Sequence, residues 1–236
     1  MQTADHISYR ADQREFHDAV ATEFWNSYDW KRRAIREAFE VEQIFKLVGK
    51  PEKILQVGCG PGSQDPILAS NDFVRAVDAI DPSPKMIEQA NAHFSHPKVR
   101  RRVASFNELE PSHSYDLTLS VDVFEHVDEP ELFLRTMTGV VKPGGYVAVI
   151  TPNRRRWQNI ERLLIGLRPT LLSPMHYREY SRMELIELGC RTGLAYVGAF
   201  GETIYDPLVR LPLRLSLKLG LLLRPIAHVV GVVFKS

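Results

Sequence analysis

Ile54-Leu-Gln-Val-Gly-Cys-Gly-Pro-Gly-Ser63 is the stretch that decides the fold of this chain. Ile54 to Val57 is a short apolar run of the kind that forms a buried strand. It stops in glycines at alternate positions, Gly58, Gly60 and Gly62. Glycine accepts positive φ, and it lets a ligand approach where a Cβ would block it. Ser63 is a candidate N-cap, and Asp65 adds negative charge to a first helical turn. Strand, glycine turn and helix in that order form the ligand crevice of open α/β sheets.

Working outward, Val74 to Ile80 is a second apolar run, and it ends in Asp81. An acid about 20 residues beyond such a glycine turn is placed to accept hydrogen bonds from ribose hydroxyls. Asp81 before Pro82 also reads as the cap of a helix over Pro82–Ala90. Further strands are expected at 99–103, 115–121, 145–151, 194–200 and 228–234, with helices between them. This alternation predicts an α/β fold, a Rossmann-like and mainly parallel sheet with helices on both faces. The turn Lys142-Pro-Gly-Gly145 feeds the fifth strand.

Five segments in order carry a resemblance. Val57-Gly-Cys-Gly-Pro-Gly62, Asp81-Pro-Ser-Pro-Lys-Met86, Tyr115-Asp116, Phe124-Glu-His-Val127 and Val141-Lys-Pro-Gly-Gly145 resemble the class I S-adenosylmethionine-dependent methyltransferases. The likeness runs from about residue 50 to 153, with a looser echo from His176 to Leu194. It implies a seven-stranded sheet whose last strand lies antiparallel between the fifth and the sixth. It implies S-adenosyl-L-methionine as cofactor. Gly58, Gly60 and Gly62 would pass close to its methionine and ribose parts, and Asp81 would take the ribose hydroxyls. Pro82 and Met86 would pack near the adenine or fill core, and Val121 would be among the cofactor-binding residues. Gln56 stands where relatives have an acid toward the cofactor's ammonium. Ser105 stands where an Asp commonly meets the adenine amino group, with the backbone of Phe106 beside it. His126 follows the fourth strand next to the expected sulfonium. Histidine titrates in the range that suits removal of a hydroxyl proton. A purely structural hydrogen bond is the other reading of His126.

The chain has 236 residues, which suits one decorated α/β domain. Thirty basic residues stand against 29 acidic ones, so no basic excess points to nucleic acid. Cys59 and Cys190 are too few for a disulfide framework, and the N-terminus lacks the features of a signal peptide. A cytoplasmic protein is expected. No metal is expected either, because His93-x-x-His96 is the only close histidine pair and lacks nearby ligands. Ser63 at the third small position, together with the downstream segments, argues against a nicotinamide-dependent oxidoreductase.

Residues 1–49 read as a helical lid on a domain spanning 50–236. Phe24, Trp25, Tyr28 and Trp30 form an aromatic cluster, either core or part of that lid. Val20 to Trp25 is similar to the N-terminal segment of quinone-biosynthesis methyltransferases, the pattern the chain most resembles. Residues 154–180 form an insert. Its run Arg154-Arg-Arg156 reads as a solvated face or as a partner for an anionic group. Ser181 and Glu184 form a capping box. A second, apolar insert covers 206–225, in which Leu alternates from Leu211 to Leu221. Leucine content and Pro212 favour helix over strand. Leu208, Leu211, Leu215, Leu219 and Leu222 would make its apolar face, opposite Arg210, Arg214 and Lys218. Peripheral membrane contact through 206–225, a packed sheet edge and a homodimer interface are the alternatives for that face. The expected function is methylation of a small lipophilic or natural-product acceptor, foremost at oxygen. Transfer to carbon or nitrogen, and a non-catalytic cofactor-binding scaffold, are the competing readings.

Overall fold

The apolar run of the glycine segment is strand β1, Lys53–Val57, in the middle of a seven-stranded sheet. The structure is a computed structural model that describes residues 25–26, 29–204 and 211–236. Helix α1, Trp30–Val48, precedes β1, and its N-terminus is capped by Asp29, which accepts from Arg32 N at 3.1 Å. The chain then runs α2 (Asp65–Ala69), β2 (Ala76–Asp81), α3 (Pro84–His93), β3 (Val99–Val103) and β4 (Tyr115–Val121). It continues through α4 (Pro130–Val140), β5 (Val141–Pro152), α5 (Trp157–Leu164) and α6 (Arg182–Arg191). Strand β6 (Ala195–Glu202), α7 (Leu213–Leu222) and β7 (Val229–Lys235) complete it.

The strand order is β3-β2-β1-β4-β5-β7-β6, and β7 runs antiparallel between β5 and β6. Successive strands step outward on one side from β1 to β3, then restart on the other side at β4. The carboxyl ends of β1 and β4 therefore open a crevice at the point where the order reverses. Alternation along β1 sends neighbouring residues to opposite faces. Ile54 packs with Val41, Ile44 and Leu68, whereas Leu55 packs with Phe124, Phe133 and Met137. Two cores thus sandwich the sheet, and α1 covers one of them.

Several boundaries differ from the sequence reading. Strand β2 begins at Ala76 because Val74 N bonds back to Asn71 O in a turn. The helix after β2 starts at Pro84, capped by the Ser83 hydroxyl, which accepts from Met86 N at 3.1 Å. The capping box of Ser181 and Glu184 forms as expected.

The apolar insert is helical where described, with Pro212 at its N-cap, but its buried face is not the expected leucine face. Ser216, Leu217 and Gly220 face inward, whereas Leu215 and Leu222 are exposed beside Arg214 and Lys218. Small residues decide this. A Cβ on Gly220 would run into the backbone of Glu202 and Thr203, and the Ser216 hydroxyl bonds Ile204 O at 2.6 Å. Leu208 and Arg210 lie outside the described residues. Arg156 is likewise no solvated residue. It is buried, ion-paired with Glu179, and donates to Thr170 O at 2.5 Å, pinning the insert of 154–180. Among the described residues no helix is long and apolar enough to cross a membrane.

Candidate functional site

The glycine loop is tied to the end of β2, since Gly58 N and Cys59 N both donate to Ile80 O, at 2.8 and 3.0 Å. A Cβ on Gly58 would overlap the Val123 side chain, and one on Gly62 would press on Ala90 and Arg101. Gly60 is different. It has φ of +52°, and its Cβ direction meets no described atom within 4 Å. The crevice reaches the backbone at that residue. Asp81 braces the same loop: its Oδ2 accepts from Gly60 N at 2.8 Å and its Oδ1 from Ser83 N at 2.9 Å.

A cavity of about 450 Å³ lies over this loop. Of the residues singled out in the sequence, Gln56, Gly58, Gly60, Asp81, Pro82, Met86, Val121 and His126 line it together. Gly62, Ser105 and Phe106 are not part of its lining. Ser105 caps a 3₁₀ turn over Phe106–Glu108, and Phe106 packs edge-on against Phe133 with ring centroids 4.9 Å apart.

Helix α1 supplies a wall that the sequence reading did not resolve. Arg33, Arg36 and Glu37 line the cavity. Their only sequence signal is the i,i+4 spacing of Arg33 with Glu37 and of Arg36 with Glu40, both of which are ion pairs. Arg36 also pairs with Asp122 at 2.7 Å and with buried Glu202 at 3.1 Å. Those carboxylates, Glu202 foremost, hold its guanidinium firmly charged. From α1 a hydrogen-bond chain runs into the sheet: Gln64 Nε2 donates to Glu40 at 2.6 Å, and Gln56 Nε2 donates to Gln64 at 3.1 Å. Gln56 Oε1 and Glu37 Oε2 are buried and lack a hydrogen-bond partner among the described residues. Trp25 of the aromatic cluster stacks on His93 at 4.1 Å and lies near Trp30 and Phe94, while Phe24 and Tyr28 fall outside the described residues.

The opposite wall is built where β4 ends. Asp122 sits at φ of +53°, and a 3₁₀ turn follows over Phe124–His126. The Glu125 carbonyl accepts from Tyr177 N at 2.9 Å, which fastens the 173–177 loop to this turn. That contact brings His176 beside His126, ring centroids 4.9 Å apart. Nδ1 of His126 faces Met175 O at 3.2 Å, and Nδ1 of His176 faces Glu179 Oε1 at 3.0 Å. Burial, reinforced by the Asp122 carboxylate, pushes the Glu125 carboxyl up to about 8. Its Oε2 accepts from the Thr151 hydroxyl at 2.8 Å.

His228 also lines the cavity, and burial together with Arg156 and Arg36 pushes it down to about 4. An unfolded histidine takes its proton near pH ~6.5, so between about 6.5 and 4 the unfolded chain binds more protons than the fold. His228 therefore supports the fold above that window and weakens it as pH falls through it, by roughly 3 kcal/mol in full. We expect His228→Gln to lose less melting temperature than the wild type between about pH 7 and pH 5. Parallel melting curves for the two would exclude this contribution.

A family described as the methyltransferase domain matches residues 55–149. A ubiquinone biosynthesis O-methyltransferase of Bradyrhizobium sp. (strain ORS 278) is 32% identical over 119 residues, 48% of this chain and 45% of that protein. The protein of the same name from Rickettsia felis is 28% identical over 183 residues, 73% of each. Among solved structures, the 1,6-didemethyltoxoflavin-N1-methyltransferase of Burkholderia thailandensis has a TM-score of 0.63 at 16% identity, covering all of this chain and 91% of that one. It was crystallised with 1,6-didemethyltoxoflavin and S-adenosylhomocysteine. The match to the Bradyrhizobium protein thus spans under half of that relative's length.

Proposed function

We propose that the chain, which matches the methyltransferase domain over residues 55–149, is an S-adenosylmethionine-dependent methyltransferase that methylates an oxygen of a small lipophilic acceptor. The observation that carries this reading is the juxtaposition of Gly60 and Asp81 with the histidine-bearing wall across one cavity. The residues fit the cofactor. Gly60 leaves its Cβ position open, and the Asp81 carboxylate lines the same cavity beside it. Gln56 Oε1 and Glu37 Oε2 are two buried acceptors that a donor-rich ammonium group satisfies. Glu37 thereby brings the charge that Gln56 lacks.

S-adenosylmethionine, when bound, supplies an electrophilic methyl group on a sulfonium. The chain's own residues bind, orient and exclude water. In this reading His126, which lines the cavity, accepts the proton of the acceptor's hydroxyl. The apolar part of the lining, with Val121, Val123, Pro152, Leu172, Met175 and Val229, suits a lipophilic acceptor. The relatives' name, ubiquinone biosynthesis O-methyltransferase, supports oxygen as the acceptor atom.

Delivery from lipid fits the same picture. Leu164 is 77% exposed, Ile165 72% and Leu222 76%. Leu163, Leu167, Leu171 and Leu172 are exposed in the same insert as the first two, and Arg155 and Arg168 lie nearby in the chain. This insert joins the described part of the second insert, 211–225, as the lipid-facing surface we propose.

The test is an acceptor panel of lipophilic phenols, amines and carbon acids with labelled cofactor, run free and in anionic vesicles. We expect label on phenolic oxygen, with faster turnover from vesicles. Label on nitrogen or carbon would replace the acceptor assignment. Binding of S-adenosylhomocysteine without turnover on any acceptor would leave a cofactor-binding scaffold.

A further inference from the structure

Glu125, His126 and His176 each offer a ligating atom, all within 4.8 Å of one another, at the wall of the cavity. The sequence conceals this group, because His176 comes from a loop far along the chain. We infer that the three form a binding site for a divalent transition-metal ion of the zinc, iron(II) or cobalt(II) kind.

The donor set is two imidazoles and one carboxylate, which suits those ions and not magnesium or calcium, whose ligands are oxygens. The supporting contacts are those of a ligand shell. Metal-binding histidines characteristically give their second ring nitrogen to a carbonyl or carboxylate. Here His126 Nδ1 faces the Met175 carbonyl and His176 Nδ1 faces Glu179, so Nε2 carries the lone pair in each ring. His176 Nε2 already lies 3.9 Å from Glu125 Oε1. Bonds of about 2.1 Å in a tetrahedral site need donors about 3.4 Å apart, so the group must close by on the order of an ångström. Side-chain rotation can supply that, since the backbone is already held by Tyr177 N on the Glu125 carbonyl.

His126 gives its lone pair either to a proton or to an ion, so the loaded protein is a second state of the cavity. What the ion would do rests on the proposed acceptor site. A hydroxyl bound to it exchanges its O–H bond for an oxygen–metal bond and releases the proton to solvent. Binding itself requires neither acceptor nor cofactor.

The test is titration of chelator-stripped protein with Co²⁺, followed by visible d–d absorption, with S-adenosylhomocysteine affinity measured separately. About one ion per chain is expected, with affinity reduced at least ~10²-fold in His176→Gln and Glu125→Gln. His96→Gln, outside the group, should keep full uptake. No uptake by the wild type, or equal uptake by the two ligand variants, would overturn the site. Should a ligand variant fail to fold, Zn²⁺-soaked crystals of the wild type decide. An anomalous peak among the three side chains supports the site, and its absence refutes it. Failure of this test with cofactor affinity intact leaves the methyltransferase reading standing.

Discussion

Gly60→Val is expected to abolish measurable S-adenosylhomocysteine binding in a chain that still folds. Asp81→Ala is expected to weaken that binding by about 1–3 kcal/mol. The first effect is steric. No described atom lies within 4 Å of the Cβ position of Gly60, so valine collides with the ligand and not with the protein. It does carry a backbone cost, since φ of +52° is unfavourable for a β-branched residue. That cost is about 1–2 kcal/mol, and it falls on stability. Gly49→Val is the control, because Gly49 has φ of +83° and equally open surroundings but lies outside the cavity lining. Both variants should lose melting temperature, and only Gly60→Val should lose the ligand. The Asp81 effect combines two lost charged acceptors with a slackened loop, because Gly60 N and Ser83 N lose their partner. Calorimetric titration reads both. Tight binding by Gly60→Val would reduce the glycine loop to a turn, and unchanged affinity in Asp81→Ala would remove its ligand role.

The glycine-loop side of the cavity was legible because its parts are contiguous. Ile54 to Ser63 holds strand, turn and helix start within a few residues, and Asp81 ends the neighbouring parallel strand, β2. Local chemistry was enough to set them side by side. The mainly parallel sheet followed from the same alternation, whereas the antiparallel place of β7 was expected only from the family resemblance. The other walls depend on packing between distant segments, which periodicity does not report. Arg33, Arg36 and Glu37 drew no reading from the sequence, and only the packing of α1 across the crevice brings them to the cavity. His176 and His228 reach the cavity from a loop and a strand edge far from His126. The leucine face of α7 misled for a related reason. Counting apolar residues favoured Leu215 and Leu222, yet the helix docks through Ser216 and Gly220, whose small size lets it approach the backbone of Glu202 and Thr203. Ser105 was chosen by its motif position, and the hydroxyl is used instead to cap its own 3₁₀ turn.

His126→Ala is expected to lower turnover by roughly 10²–10⁴-fold while S-adenosylhomocysteine affinity stays close to that of the wild type. The side chain is placed for this by the 3₁₀ turn after β4, with Nδ1 held at 3.2 Å from the Met175 carbonyl. That contact orients the ring so that Nε2 is the basic nitrogen. It also gives His126 a structural duty, since Met175 and His176 lie on the loop that closes the cavity. Loss of rate alone cannot separate the two roles, but acceptor acidity can. A phenol already ionised at the assay pH has no proton to give up, so a missing base costs it little. A misplaced loop slows every acceptor alike. Turnover should therefore be compared across a series of phenols of similar shape and falling pKa. If His126 takes the proton, the penalty for His126→Ala shrinks steadily as the phenol becomes more acidic. A large penalty that stays constant across the series would assign His126 to positioning. A loss below about tenfold for the least acidic phenol would mean that the acceptor is only held in place.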